Sequence, residues 1–509
     1  MIGLQKRYIN NQGSWLWFLI SIIALLFINP FEQAIWGDRA YLIYISQTVF
    51  RELGVYESTP YGYTPLANLL SGGVMLLINW VNGSVDTIIV SRVLGIFLYA
   101  GIVTSLFKLA VQAFESKRSA NLVCIAFMSF YFYMQMAAIN FEPKYLALLF
   151  EIWAVQSFIK SKTFRSGLFF SLAAMCWQPM VLNCLALVPL ILMIHGINKK
   201  SLLALTHFSL GVLLGTTPCL LYLYFTNDWI DFWNQAVLRK VALEGEVLFE
   251  SPFDWLRKVF MTNLKPDALI LAIGFSGLLL VLVNKKFRIP ILNFTSKKPL
   301  TWNVLLIISF AWVIFNSLEF QAPLDFLPML PFIILFMVSL FHQWIQGLSF
   351  PKYVLVLLCF VGYGFYDFLV PNPRITYSEQ KALISDIKGR YEDPFVINFE
   401  EYYVLEEKPL PTNYIRYAVF EDYLINKNEI NGCAAILDKV ASQKPRAIIS
   451  KTTRDSKMSI IGDCGQKIID AFSSGKVSSF KISMGKGNLF AHKEKILSYD
   501  VYETIFNGK

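Results

Sequence analysis

Apolar runs about as long as a bilayer is thick, roughly 20 residues each, recur from Trp15 to Leu369, and the short loops between them hold most of the nearby lysines and arginines. In hydrocarbon no water is present to satisfy backbone N–H and C=O groups, so runs of this kind must become helices that satisfy their own. A chain of 509 residues that is 55% hydrophobic and only 16% charged, with a mean hydropathy of +0.49, is therefore a polytopic α-helical membrane protein and not a soluble enzyme. Its net charge of +9 does not point to nucleic acid, because the basic residues sit in small clusters between apolar runs, as they do in cytoplasmic loops. Lys6 and Arg7 before the run Trp15 to Ile28 resemble a signal peptide, but no small-residue cleavage site follows, and the run reads as an uncleaved first span.

The basic clusters order the rest. Lys117 and Arg118, then Lys160, Lys162 and Arg165, then Lys199 and Lys200, then Lys285, Lys286, Arg288, Lys297 and Lys298 all fall on the cytoplasmic side only if Leu66 to Val81 does not cross the membrane. That segment, interrupted by Gly72 and Gly73, is expected to be a juxtamembrane helix, with an ordinary span as the alternative. The same parity divides Gly167 to Ile194 into two short helices, Gly167 to Trp177 and Met180 to Ile194, broken at Gln178 and Pro179. Further spans are expected at Ile88 to Phe114, Ala120 to Ile139, Tyr145 to Ile159, Leu202 to Phe225, Ala268 to Val283, Trp302 to Leu318, Leu324 to Trp344 and Tyr353 to Leu369, giving about eleven crossings.

Chemistry-bearing residues gather in the loops that this topology puts outside. Trp36 to Leu66, WGDRAYLIYISQTVFRELGVYESTPYGYTPL, follows the first span and carries Asp38 and Arg39 where the chain leaves the bilayer. An ionisable pair there is a functional candidate, although a local ion pair or a helix cap would also account for Asp38. Read as a helix, Asp38, Tyr41, Leu42 and Ile45 share one face, so this segment is expected to be a second juxtamembrane helix in the same loop. A short turn, Asn140-Phe141-Glu142-Pro143-Lys144, and a long loop from Thr226 to Asp267 share that side. The long loop sets Trp229, Trp233 and Trp255 at headgroup level with Arg239, Lys240, Arg257 and Lys258, which suits either anchoring or phosphate contact.

Past Leu369 the pattern changes. Residues 371–509 read as a soluble α/β domain on the same side as Asp38, separate from a membrane domain of residues 1–370. It has a charged helix at Ser378 to Tyr391, a strand at Phe395 to Phe399, helices at Ala434 to Ser442 and Gly465 to Ser473, a strand at Arg446 to Ser450 and a terminal strand pair around Gly485-Lys486-Gly487-Asn488. Its two cysteines, Cys433 and Cys464, are expected either to form a disulfide in an oxidising compartment or to remain buried thiols. The other five cysteines lie in apolar runs and behave as small hydrophobes. Four scattered histidines show no metal-ligand spacing, and no phosphate-binding glycine loop is present.

The run WGDRAYLIYISQTVFRELGVYESTPYGYTPL resembles the first external loop of GT-C glycosyltransferases, in particular bacterial relatives of protein O-mannosyltransferases and of lipid A aminoarabinose transferases. INFEPKYLALLFEIWAV is similar to their second-loop acid and the helix after it, FSLGVLLGTTPCLLYLYFTNDWIDFWNQAVL to their seventh span and its exit, and LDFLPMLPFIILF to a later Leu-Pro-x-x-Pro span. The resemblance implies a GT-C membrane domain in the bacterial inner membrane, with the N-terminus cytoplasmic and the C-terminal domain extracytoplasmic. It implies inverting transfer of a sugar from a polyprenyl phosphate to a lipid, glycan or protein acceptor, with membrane lipids around the protein and no nucleic acid.

On that resemblance Asp38 is the general base. Glu142 is the second-loop acid, whose roles in the family are to orient the acceptor, to hold a cationic residue or to help bind a divalent ion; no cofactor is otherwise called for. Arg39, Arg51, Arg92, Lys144, Arg239 and Lys240 are the candidates for the donor phosphate, and Tyr41, Tyr61, Tyr63 and Gln178 for the acceptor or donor pocket. The chain departs from the family at Arg39, where mannosyltransferases carry an acid, at Tyr63-Thr64-Pro65-Leu66, where many relatives have a basic residue before the proline pair, and at Asp325, near where some have a basic residue. The competing readings are a transporter or lipid flippase, for which internal repeats and mid-span acids would be expected, and a non-catalytic assembly protein, in which Asp38→Asn would be silent.

Overall fold

The structure, a computed structural model, describes residues 2–35, 38–50, 55–58, 62–82, 86–238, 268–283, 297–319, 323–369, 376–391, 395–397, 400–406, 447–452, 473–483 and 496–504. They fall in two compact units: Met1–Pro30, Tyr61–Val74 and Ile88–Leu369 form the first, and Phe31–Pro60, Met75–Thr87 and Val370–Lys509 the second. In chain order the helices are α1 (Ile2–Phe27), α2 (Asp38–Thr48), α3 (Val55–Ser58), α4 (Leu66–Asn82), α5 (Thr87–Phe114), α6 (Lys117–Met128), α7 (Tyr131–Ile139), α8 (Pro143–Ile159), α9 (Thr163–Ala174), α10 (Val181–His195), α11 (Lys199–Thr226), α12 (Trp229–Phe232), α13 (Ala268–Val283), α14 (Lys297–Glu319), α15 (Leu330–Gly347), α16 (Phe350–Leu369), α17 (Tyr377–Arg390) and α18 (Glu400–Leu405).

Among the described residues, six helices are long and apolar enough to cross a membrane: Gly13–Glu32, Thr87–Phe114, Gln178–His195, Lys199–Thr226, Leu300–Ser317 and Leu330–Gly347. The pair α6 and α7 makes a seventh if counted as one span. Leu66–Val81, Leu269–Leu280 and Phe350–Gly364 are shorter apolar helices.

Helix ends follow local chemistry. Asn198 and Ser201 form a capping box at the start of α11, and Asn227 closes that helix in the left-handed conformation. Pro143 opens α8, where its missing N–H costs nothing, so the helix starts before the expected Tyr145.

Small residues set the packing of the first unit. A Cβ on Gly211 or Gly167 would run into the backbone oxygens of Phe164 and Phe208 respectively, and one on Gly215 into Ser171 Oγ, so α9 and α11 touch backbone to backbone. Gly274 and Gly277 bring α13 equally close to Ile333 and Phe336 of α15.

The expected single span Ala120 to Ile139 is corrected to two helices bent by 70°. No proline or glycine marks the bend in the sequence; Ser129 Oγ donates back to Ala126 O at 2.8 Å, and Gly364 lies so close that a Cβ there would meet Ser129 Cα at 2.8 Å. The break expected at Gln178 and Pro179 does occur, with α9 ending at Ala174, a 3-10 turn at Gln178–Met180 and α10 starting at Val181.

In the second unit α2, α17 and α18 accompany a four-stranded sheet. Its strands are β1 (Phe395–Ile397), β2 (Ala447–Thr452), β3 (Ser473–Ser483) and β4 (Ile496–Thr504), in the order β1-β2-β4-β3. β1 and β2 run parallel, with Phe395 opposite Ile448, and β4 is antiparallel to both β2 and β3. The expected helices at Ala434 to Ser442 and Gly465 to Ser473 lie outside the described residues, Ser473 itself opening β3.

Candidate functional site

In the first unit a polar cluster is built on the break between α9 and α10. The last carbonyls of a helix have no intrahelical donor, and here two of them are taken at the start of α4: Thr64 Oγ1, just before it, donates to Ala174 O at 2.9 Å and Leu66 N, its first residue, to Met175 O at 3.0 Å. Gln178 completes the staple, its Nε2 donating to Gly62 O at 2.8 Å and to Ala236 O at 3.2 Å. Irregular backbone in a membrane domain is tolerated only where its polar groups are met this way.

The staple fixes Trp177. Its indole, 1% exposed, stacks on Trp312 of α14 with centroids 5.5 Å apart and planes at 9°. Lys144 Nζ stands 5.1 Å from the centre of the Trp177 ring and 2.6 Å from Asp325 Oδ1. This ion pair is buried, its side chains 7% and 9% exposed, and the Glu142 carboxylate adds its field at the ammonium, with Tyr63 close by. Trp312 Nε1 donates to Glu151 Oε1 at 2.7 Å, and Asn183 Nδ2 donates to the same oxygen at 2.6 Å. A polar column thus runs from Asp325 through Lys144, Trp177 and Trp312 to Glu151 and Asn183.

Glu142 is the buried N-cap of α8 and makes no side-chain cap bond. The loop that carries it rests on α5, where Ser91 Oγ accepts from Phe141 N at 3.0 Å and Gly95 admits the carbonyls of Ala137 and Asn140. Arg92, on the same turn of α5, is fully buried.

Of the residues singled out from the sequence, the first unit brings Lys144, Glu142, Tyr63 and Gln178 together around the broken helix. In the second unit Asp38 is the first residue of the 11-residue helix α2, Arg39 is half-buried and Tyr41 is buried on the same helix. Arg51, Tyr61, Arg239, Lys240, Cys433 and Cys464 lie outside the described residues.

Sequence reasoning missed the partner of Lys144. In the sequence Asp325 carries no signal that joins it to Lys144. Glu151 had a usable signal, a lone acid in the apolar run Tyr145 to Ile159. Trp177, Trp312 and Asn183 had none, since aromatic and amide residues in spans are common.

No family model matches the chain, and no curated protein matches it by sequence. Among solved structures, ArnT from Cupriavidus metallidurans in the apo state is similar over 96% of this chain and 97% of its own, at 10% identity and a TM-score of 0.55. ArnT from the same organism bound to undecaprenyl phosphate is similar over 95% and 97%, at 11% identity and a TM-score of 0.50. These likenesses show the fold: the chain is a polytopic membrane protein of the GT-C fold.

Proposed function

We propose that the protein is a membrane glycosyltransferase that moves a sugar from a polyprenyl-phosphate carrier to an acceptor hydroxyl or amine, with inversion, at the outer face of the bacterial inner membrane. The observation that carries this reading is the near full-length likeness to ArnT, one structure of which is bound to undecaprenyl phosphate. On this reading the chain's N-terminus is cytoplasmic and residues 371–509 form an extracytoplasmic α/β domain.

Asp38 is the base. It opens helix α2, where the partial positive charge of a helix N-terminus favours the ionised carboxylate that a base needs. The acceptor's proton passes to that carboxylate while the acceptor atom bonds to the sugar's C1, and the C1–O bond breaks to release polyprenyl phosphate. Such a base supplies about 10² to 10⁴ in rate.

The leaving phosphate gathers charge and needs cations. Arg39, Arg51, Arg92, Arg239 and Lys240 are assigned to it. Lys144 is assigned a different part, because Asp325 already holds its ammonium and Glu142 stands beside them. With both acids ionised that trio sums to −1, which favours sugar hydroxyls over a phosphate. Tyr41, Tyr61, Tyr63 and Gln178 are assigned to the sugar and acceptor.

Deletion of the gene tests the reading: a polyprenyl-phosphate-linked sugar should accumulate, visible by mass spectrometry of extracted lipids. The wild-type gene should clear it and Asp38→Asn should not. A variant retaining more than about a tenth of wild-type turnover would exclude a general base at Asp38.

A further inference from the structure

We infer that Gln380, far from Asp38 in sequence, is a positioning residue for it; the inference rests on Asp38 being the base. The argument lies wholly within the second unit. Residues 34–35 have no regular structure, so their backbone groups need partners from elsewhere. Gln380 supplies both for Ile35: its Nε2 donates to Ile35 O at 2.8 Å, and Ile35 N donates to its Oε1 at 3.0 Å. A primary amide that closes both bonds on one residue does the work of a neighbouring β-strand and fixes the backbone three residues before Asp38.

Gln380 suits this and little else. It is 1% exposed and lies on the buried stripe of α17 with Tyr377, Leu383, Ile384 and Ile387, a place for an apolar side chain. Burying an amide there is costly unless its donor and acceptor are both used. The bonds to Ile35 use one of each.

Neighbouring contacts bracket the segment. Gln33 bridges to Thr376 in antiparallel fashion, and Ser378 Oγ donates to Glu32 Oε2 at 3.0 Å. At the far end of α2, Gln47 Nε2 donates to Thr87 Oγ1 at 2.7 Å and to Val404 O at 3.2 Å. The C-terminal segment thus meets the chain ahead of α2, at residues 32–35, and the far end of that helix, at Gln47, and at Ile35 it does so through two bonds to one buried side chain.

The test uses the full chain in lipid nanodiscs and three variants. Hydrogen exchange of peptides spanning residues 31–48 should quicken in Gln380→Ala by about three- to tenfold, the loss expected for one protecting bond, while exchange in α11 stays unchanged. Clearance of the accumulated polyprenyl-phosphate sugar should fall about tenfold or more, as misplacement of a reacting group does. Gln380→Glu keeps the acceptor for Ile35 N, and its protonated form alone can donate to Ile35 O. Its exchange should therefore be slower at pH 5 than at pH 8 when corrected for intrinsic rates, whereas wild type shows no such trend. Unchanged exchange in Gln380→Ala would overturn the clamp. Faster exchange with wild-type clearance would overturn the positioning role. Full clearance by Asp38→Asn would instead overturn the base assignment, a result that leaves the exchange measurement intact.

Discussion

Truncating either side of the Lys144–Asp325 pair should be costly, and unequally so. The two charges are 2.6 Å apart and almost wholly buried, so their gross attraction at an effective dielectric near 20 is about 6 kcal/mol. Desolvation offsets most of it, and the pair adds little net stability over a well-packed apolar pair. Removing one partner is different, because the other charge stays buried without its counterion, at about 3–5 kcal/mol. Asp325→Ala leaves the ammonium over the face of Trp177 and beside Glu142, and a desolvated cation–π contact returns about 1–2 kcal/mol. Lys144→Met leaves two acids, Asp325 and Glu142, without that ammonium. It should therefore be the worse variant by about that cation–π amount, 1–2 kcal/mol. The double variant Lys144→Met/Asp325→Leu should recover most of the loss. Equilibrium unfolding of the purified protein in mixed micelles measures all three. Single variants costing less than about 1 kcal/mol, the scale of an exposed pair, or a double variant as damaged as the sum of the singles, would refute the reasoning.

Gly211→Val should prevent folding, since its side chain would enter the Phe164 carbonyl on the neighbouring helix and over-packing costs about 1–3 kcal/mol even where neighbours are flexible side chains; size-exclusion profiles of solubilised membranes report it. Glu151→Gln should be neutral or stabilising. The new amide keeps an acceptor for Trp312 and Asn183 and adds a donor for Asn183 Oδ1, a buried atom without a partner among the described residues. Glu151→Ala should cost about 1–3 kcal/mol for the donors left unmet, read in the same micelle titration. In a cysteine-free background, cysteines introduced at Ser84 and Ser456 should react with an impermeant thiol reagent from outside and one at Ser161 should not; labelling of position 84 only after permeabilisation would make Leu66 to Val81 a span.

The membrane character and the places of most helices were legible because a bilayer imposes one strong constraint, a long apolar run, on every span. The break at Gln178 and Pro179 was legible by counting: basic loops on both sides of Gly167 to Ile194 demand an even number of crossings. The bend at Ser129 was not, because a serine bonding back to Ala126 leaves no mark in hydropathy. Lys144 and Asp325 stand 181 residues apart, and no periodicity joins residues so far separated. The two bonds between Gln380 and Ile35 were hidden for the same reason, and α17 reads from sequence only as a charged helix.

What the site owes to the fold follows from where the helices stop. A membrane domain tolerates non-helical backbone only if other groups meet its donors and acceptors, and at the end of α9 these come from Thr64 and Leu66 while Gln178 reaches Gly62 and Ala236. Three segments far apart in sequence are thereby drawn to one point. Trp177 lies inside that staple, and through it Lys144 of α8 and Trp312 of α14 are held in register. A straight helix through residues 163–195 would keep its carbonyls to itself and offer the loop at Tyr63 nothing to bind. The break is therefore what brings Tyr63, Glu142 and Lys144 to one place, and polar side chains collect there because the backbone has already made the site polar.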